Sequence, residues 1–454
     1  MDDRTPEANS YRCRKDAPNN KKNIQLLLIA LLFPDTVLAR EATWWDEKFS
    51  FQLDGITSAT HMDIQDEPFN QPFSVANFTG LSNRLYEFEL RPTIELKMSG
   101  CNINLKPRYH ISYSEDRQPE NSDSDIFLNT ALVACRLADS INLKVGRQRL
   151  TWGNSQFRSP SNPFYSESTL FNPLSEIVGK DFAIFEYSAS FSWKVSFIAN
   201  WDESHVDVPP NPNYQFLKTY GFKTEYTGQS SQWGGILSKR ENKPLRFGGF
   251  SNYTLNRAVL VYGEFSVSKD SNGLLPLTTQ DIDINSTPLT FANAEQIDNK
   301  YRYSVLAGAS YTLMNGWTTT AEYLNTNEGF DRLQADAWSD AGSAAILTLN
   351  AGETVTQAVP VLVDAFDPLW RQLRQNYVIL GLNRTQIRNS FDVAFQNITN
   401  LDDASNSIAA SIAYQSSDST EIFLVGSANT GGGSNEFGRL VENVVVLGLR
   451  FYTF

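Results

Sequence analysis

The chain has 454 residues, carries a formal net charge of −13, and has aromatic side chains at 12% of its positions. A chain this acidic lacks the positive electrostatic potential that binds nucleic acid, so nucleic acid is excluded as a partner. Its mean hydropathy of −0.34 is too polar for a bundle of membrane helices, each of which needs roughly 20 apolar residues in a row. Composition alone leaves open a soluble secreted β-protein and a β-barrel of the outer membrane.

The N-terminal region has the three parts of a secretory signal peptide. Lys21 and Lys22 precede the apolar run Leu26–Phe33, and the small residue Ala39 follows it. A charged start, a short apolar stretch and a small-residue cleavage position define such a signal. We therefore expect residues 1–39 to be a signal peptide with an N-terminal extension, and residues 40–454 to form a single outer-membrane β-barrel of a Gram-negative cell. The alternative is a buried helix that begins a cytosolic domain.

After residue 40 the sequence alternates between apolar and polar side chains. Tyr86, Phe88 and Leu90 share one side of the first clear strand, while Glu87 and Glu89 share the other. Side chains alternate across a strand with a period of two, so each such segment has one apolar and one charged wall. Many segments run to about ten residues, the length that a tilted membrane strand requires. The pattern predicts an all-β fold, a closed antiparallel transmembrane β-barrel of about 18 strands (16–18).

The connections between these strands sort by length. Short turns are predicted at 99–102, 138–140, 189–192, 315–316 and 416–419, and long loops at 60–82, 153–180, 202–213, 270–300 and 328–373. Short periplasmic turns and long extracellular loops give outer-membrane barrels this asymmetry. Loops 153–180 and 328–373 are long enough to fold inward as a constriction or plug, and Arg332–Trp338 is predicted to be a short helix. The alternative for both loops is a mobile surface segment.

The most distinctive stretch is Val145–Gly153, which reads VGRQRLTWG and is followed by a loop rich in Asn and Pro. Strict alternation would turn Arg147 and Arg149 toward lipid, at a cost of about 2–4 kcal/mol each at the bilayer midplane. A β-bulge at Gly146 would turn both arginines inward, and glycine suits that geometry. We therefore predict that both line the lumen. The alternative is that they lie at the outer interface with their charges reaching water.

The same stretch carries a resemblance to a known group of proteins. Its GRQ, WG and NP elements lie at Gly146–Gln148, Trp152–Gly153, Asn162–Pro163 and Asn172–Pro173. This succession resembles a broad group of poorly characterised Gram-negative outer-membrane barrels, similar to alginate-export-type barrels and substrate-selective porins. The resemblance implies a barrel fold and a channel role, and it implies no particular substrate.

Charged and polar side chains are predicted to line the interior. The predicted solute path consists of Lys106, Arg108, His110, Lys144, Arg147, Arg149, Lys218, Lys223, Glu87 and Glu89. A basic track of this kind would favour anionic solutes, among them acidic sugars. The alternative is that these charges only solvate a water-filled interior. Cys101 and Cys135 fall near adjacent turns in a chain expected to meet an oxidising compartment, so we predict a disulfide; otherwise both stay unpaired.

No catalytic spacing stands out in the sequence. The chain has three histidines and no GxSxG or HExxH motif, so we expect no enzymatic activity. No CxxC or Cys/His cluster indicates a metal, and no cofactor is expected. The sequence favours a porin-like channel for passive passage of small anionic or sugar-like solutes, and the alternative is an export barrel of a polysaccharide secretion pathway. Expected partners are outer-membrane lipid and lipopolysaccharide, the barrel-assembly machinery and, for the alternative, periplasmic export proteins.

Overall fold

The structure, a computed structural model, describes residues 48–115, 122–165, 176–202, 216–269, 274–277, 291–293, 300–352, 355–366 and 373–453. The predicted signal peptide lies outside the described residues. Within them, eighteen strands form one antiparallel sheet. Its strands are β1 Phe49–Ile64, β2 Arg84–Met98, β3 Cys101–Ser114, β4 Ser122–Ala138, β5 Ile141–Gln148, β6 Lys180–Ser188, β7 Trp193–Asp202, β8 Thr219–Thr227, β9 Ser231–Arg240, β10 Leu245–Thr254, β11 Val259–Ser268, β14 Arg302–Thr312, β15 Thr318–Thr326, β16 Asn376–Ile387, β17 Phe391–Asn400, β18 Asn406–Ser417, β19 Thr420–Thr430 and β20 Val441–Thr453. A separate two-stranded sheet joins β12 Leu274–Pro276 to β13 Phe291–Asn293.

The large sheet closes on itself. Each of its strands pairs with the next one along the chain, and β1 pairs with β20, with Gly55 opposite Phe451 and Thr60 opposite Val446. A closed sheet leaves no row of unpaired backbone groups, which hydrocarbon could not satisfy. The predicted closed antiparallel barrel of 18 strands is therefore confirmed.

Apolar side chains cover the outside of the barrel, and polar ones lie inside. On β8, Tyr220 and Phe222 are exposed, whereas the alternating Lys223 and Glu225 are buried. The same alternation recurs around the sheet, and a band of exposed apolar side chains on a closed sheet is the surface that lipid covers. In the described chain, no helix has the length and apolar character to cross a bilayer.

Two strand ends differ from the prediction. Strand β1 continues to Ile64 and is paired with β20 almost to its end, so the first long loop begins later than residue 60. Strand β5 ends at Gln148, so the strand alternation assumed for Arg149 stops one residue before it. Beyond Gln148 the chain leaves the sheet and bonds within its own loop, where the Leu150 carbonyl accepts from Asn162 over 2.9 Å and the Trp152 indole donates to Ser161 over 3.0 Å.

Long connections at one end of the barrel pack together into a small folded unit, which we call the cap. It includes the helices α1 Val75–Thr79, α2 Arg332–Asn350 and α3 Val355–Phe366, with β12, β13 and residues 431–440. Its apolar cluster contains Phe69, Trp338, Ile346, Leu362 and Leu440, all buried. Helix α2 is longer than the predicted helix at Arg332–Trp338, because its second half also supplies buried side chains to this cluster.

Candidate functional site

A segment after β5 lies inside the barrel. This inner segment, Leu150–Tyr165, contacts residues that alternate with exposed apolar residues on β10, β11 and β15, which places it against the inward side of those strands. Asn252 on β10 donates to Asn154 over 2.6 Å, and Arg246 donates to the carbonyl of Pro160 over 3.1 Å. The predicted inward fold of loop 153–180 is found for the described part that ends at residue 165.

A buried carboxylate on β11 holds the inner segment in place. Glu264 is 2% exposed and accepts hydrogen bonds from the hydroxyls of Ser159 and Ser161, over 2.5 and 2.7 Å. It also accepts from the backbone N–H of Ser155 over 3.3 Å. Gly153 has a φ of +76°, and a Cβ there would overlap Glu264 Oε1, so glycine suits this close approach. Three donors of the inner segment converge on this one carboxyl group, which makes Glu264 the main anchor.

A second carboxylate and an aromatic contact complete the attachment. Glu322 on β15, 3% exposed, accepts from the N–H of Gln156 over 2.7 Å and from the Tyr262 hydroxyl over 2.6 Å. At the other end of the segment, the rings of Phe164 and Phe182 meet edge to face with centroids 5.2 Å apart. The inner segment is therefore fixed at both ends and narrows the lumen.

One side of the lumen carries a cluster of opposite charges on β2 and β3. Arg108, 3% exposed as a side chain, donates to Glu176 over 2.7 and 3.0 Å and lies 3.7 Å from Glu89. Arg91 donates to Glu89 over 2.8 Å. Burial raises the pKa of Glu176, but the hydrogen bonds and charge of Arg108 outweigh it, so the pKa lies below its ordinary value. Arg108 therefore favours the ionised form of Glu176.

Most of the predicted basic track consists of ion pairs. His110 lies 3.2 Å from Glu87, Lys144 lies 2.9 Å from Glu186, and Lys223 lies 2.7 Å from Glu225. Lys223 also lies over the ring of Trp152, 4.7 Å from its centroid. The sequence reasoning missed Glu176, Glu186 and Glu225. Glu186 and Glu225 could have been found, because each occupies an inward position of a predicted alternating strand.

Lys106, Lys218 and Arg149, the other residues of the predicted solute path, differ in exposure and in the side of the barrel wall they occupy. Lys106 is half-buried and has the same alternation as Arg108. Lys218 precedes β8 and is exposed. It lies two residues before the outward-facing Tyr220 and therefore on the same side, so the structure does not group it with Lys223. Arg149 lies beyond the end of β5 and is exposed as a residue. Burial of part of its side chain lowers the pKa of Arg149.

The predicted bulge at Gly146 is not found. Gly146 has a φ of +119°, but the ladders pair Val145, Gly146 and Arg147 one to one with β4 and β6 without a register shift. Arg147 therefore keeps the alternation of the exposed Val145, and its guanidinium pairs with Asp181 over 2.9 Å. An ion pair with Asp181 on the neighbouring strand β6, and not a β-bulge, compensates the charge of Arg147.

The opposite part of the wall is uncharged in the middle of the barrel. The inward sides of β16, β17 and β18 carry Gly381, Gln396, Ala409 and Ser411, which border a recess next to Gln156 of the inner segment. Beyond it, β1, β19 and β20 bring together the buried apolar side chains of Ile56, Phe423, Val425 and Val446. We call the inward sides of β16, β17 and β18 beside this recess the neutral wall, and those of β2 to β8 the charged wall.

A disulfide joins Cys101 to Cys135 near the short turns. The two Cα atoms lie 4.1 Å apart, and the residues face each other directly in the β3–β4 ladder. The bond therefore links strands that the ladder already holds together, away from the inner segment.

Fold and lumen together define a class: a closed 18-stranded barrel with an apolar outside, a polar inside and a segment folded into the lumen. Solved structures share this architecture. The chain is similar to OccK5 (OpdH) of Pseudomonas aeruginosa, with a TM-score of 0.52 and 10% identity over 90% of this chain and 99% of that one. OprD of the same organism matches with a TM-score of 0.51 and 10% identity, over 90% of this chain and 95% of that one. OccAB1 of Acinetobacter baumannii matches with a TM-score of 0.52 and 10% identity, over 89% of this chain and 97% of that one. At this identity the likeness shows the fold. No family model matches the chain, and no curated protein matches it.

Proposed function

We propose that this chain is a porin-like channel of the Gram-negative outer membrane, through which small hydrophilic solutes pass passively. The observation that carries the proposal is a polar lumen, narrowed by an anchored inner segment, inside a barrel with an apolar outer surface. Such a barrel offers water-soluble molecules a path through hydrocarbon, and the fixed segment limits their size. The signal-peptide pattern before residue 40 supports an exported location.

The lumen favours uncharged, sugar-like solutes over anions. The predicted preference for anions depended on free basic side chains, whereas Arg108, Lys144 and Lys223 each have a carboxylate within 2.9 Å. Paired charges largely cancel at the distance of a passing ion, so they orient water and polar solutes more than they select by sign. We therefore propose weak charge selectivity. The similar structures lend no support to the polysaccharide-export alternative.

Planar-bilayer recording of the purified protein tests the proposal. We expect a steady open current in KCl, and a reversal potential close to zero across a KCl gradient. A barrel that stays closed until a periplasmic protein is added, or until the inner segment is deleted, would contradict the proposal and favour export. A strongly anion-selective open current would contradict only the weak charge selectivity.

A further inference from the structure

Two lysines lie on the outside of the barrel, at the end where the long connections begin and end. They belong to a row of outward side chains that crosses the ends of β8, β9, β10, β11 and β14, in the order Tyr220, Lys239, Leu245, Lys269 and Tyr301. The ladders pair Lys239 with both Tyr220 and Leu245, and the register of β10, β11 and β14 continues the row to Lys269 and Tyr301. The ammonium group of Lys269 lies over the Tyr301 ring, 5.1 Å from its centroid. We call these five residues the lysine row.

The lysine row lies at the edge of the apolar band around the barrel. The next outward row toward the middle of the barrel consists of Phe222, Leu237, Phe247, Val267 and Tyr303, which face one another in the same ladders. Aromatic rings concentrate where hydrocarbon meets headgroups, and a lysine there lays its stem along apolar surface with its charge in water. The change from a wholly apolar row to one with two lysines therefore marks the level of the lipid headgroups.

The charges of the lysine row are not compensated by neighbouring carboxylates. Elsewhere on the outside of this end, cations are paired: the pairs are Arg84 with Glu115 and Arg147 with Asp181, each 2.9 Å apart. Lys239 and Lys269 form no ion pair with any residue that the structure describes. Just beyond the row, Lys218 and Glu241 lie opposite each other, joined by a backbone hydrogen bond of 2.9 Å, so their opposite charges leave this surface positive.

We propose that the lysine row is a docking surface for lipopolysaccharide, in which Lys239 and Lys269 bind phosphate groups of the lipid. The inference rests on the outer-membrane location of the proposed channel and on the predicted outward direction of the long connections. Two strand spacings separate these lysines by about 10 Å, so they can hold two phosphates of one lipid. A lipid with several phosphates gains from both ammonium groups, whereas a zwitterionic phospholipid also brings its own cation next to them. Tyr220, Leu245 and Tyr301 offer apolar surface to the upper part of the acyl chains.

Native mass spectrometry of the full chain in detergent, with added lipid A that carries two phosphates, tests the inference. Replacing both lysines, as Lys239→Gln with Lys269→Gln, should raise the Kd about 25-fold, since each lysine near an anionic lipid surface contributes about fivefold in affinity. Lys97→Gln is the matched control and should leave the Kd unchanged, because Lys97 is an exposed lysine next to the short turn at the opposite end of the barrel. Lys239→Arg with Lys269→Arg keeps both charges and should retain the wild-type affinity.

Lipid A without phosphates and the single-channel current of the same preparations complete the test. The dephosphorylated lipid should bind weakly, and equally, to the wild type and to every variant. A conducting wild type that binds both lipids equally would overturn the docking surface and leave the channel standing. Equal shifts for the double glutamine variant and Lys97→Gln would also overturn it, as would a dimer of the chain that the double variant breaks without any bound lipid. A barrel that binds phosphorylated lipid A as expected but passes no current would overturn the channel and leave the surface.

Discussion

The charged wall and the neutral wall are built by the same alternation of side chains, yet they offer a solute different chemistry. On β2 and β3, buried arginines pair with carboxylates, and Arg108 alone contacts Glu89 and Glu176. On β16 to β18, the equivalent inward positions are small or neutral, and one of them, Gln396, keeps an unpaired acceptor. Ion pairs hold the charged wall in shape, whereas the neutral wall meets a passing solute with small and uncharged side chains.

The largest effect is expected from releasing the inner segment from the wall. Glu264→Ala removes the acceptor of Ser155, Ser159 and Ser161, and each hydrogen bond contributes about 0.5–1.5 kcal/mol. We expect the segment to detach and the single-channel conductance to rise severalfold. Glu421→Ala is the control, since Glu421 is an inward carboxylate that pairs with Arg450 over 3.4 Å. An unchanged conductance for Glu264→Ala would show that the segment does not narrow the path.

Breaking the charged wall should have the next largest effect. Arg108→Gln removes the cation that donates twice to Glu176 and leaves Arg91 at 3.9 Å from that carboxylate, and breaking a buried ion pair costs about 3–5 kcal/mol. Arg91 still neighbours Glu89, so we expect the lower end of that range in urea unfolding, with a reversal potential shifted toward cations. The exposed pair of Arg84 and Glu115, 2.9 Å apart, is the control, because Arg84→Gln breaks a solvent-screened pair and should leave the urea midpoint nearly unchanged.

A third prediction concerns the junction between the neutral wall and the cap. Glu436 accepts from the hydroxyl of Tyr377 on β16 over 2.6 Å and from Asn400 on β17 over 2.7 Å. Burial raises the pKa of Glu436 from its ordinary 4.5 to about 7. Between these values the folded cap binds more protons than the unfolded one, so stability falls as the pH rises from about 4.5 to about 7, by up to about 3 kcal/mol.

Hydrogen exchange of residues 431–440, corrected for intrinsic rates, measures this effect. We expect faster opening at pH 8 than at pH 5 in the wild type. Glu436→Gln cannot ionise, so its opening should be independent of pH over this range. A wild type that opens more readily at pH 5 would contradict the sign of the prediction.

Alternation in the sequence was enough to predict the barrel and its strand number, because a period of two fixes which side faces lipid. It was not enough for the lumen, where partners lie far apart in the sequence. Lys144 and Glu186 face each other only once β5 and β6 are in register. The inner segment shows the limit most clearly. Glu264 lies among serines on β11, and no local pattern reveals that it binds residues about a hundred positions earlier in the chain.

The smallest effect separates two lysines that were both predicted to line the solute path. Lys223 lies on the charged wall beside Glu225, whereas Lys218 is exposed before β8 begins. Lys223→Gln leaves Glu225 uncompensated in the lumen, so the reversal potential should shift toward cations. Lys218→Gln should shift it within experimental error, because salt screens a charge outside the path within about 10 Å at 0.1 M. Equal shifts for both lysines would mean that the mouth of the barrel, and not its wall, sets the selectivity.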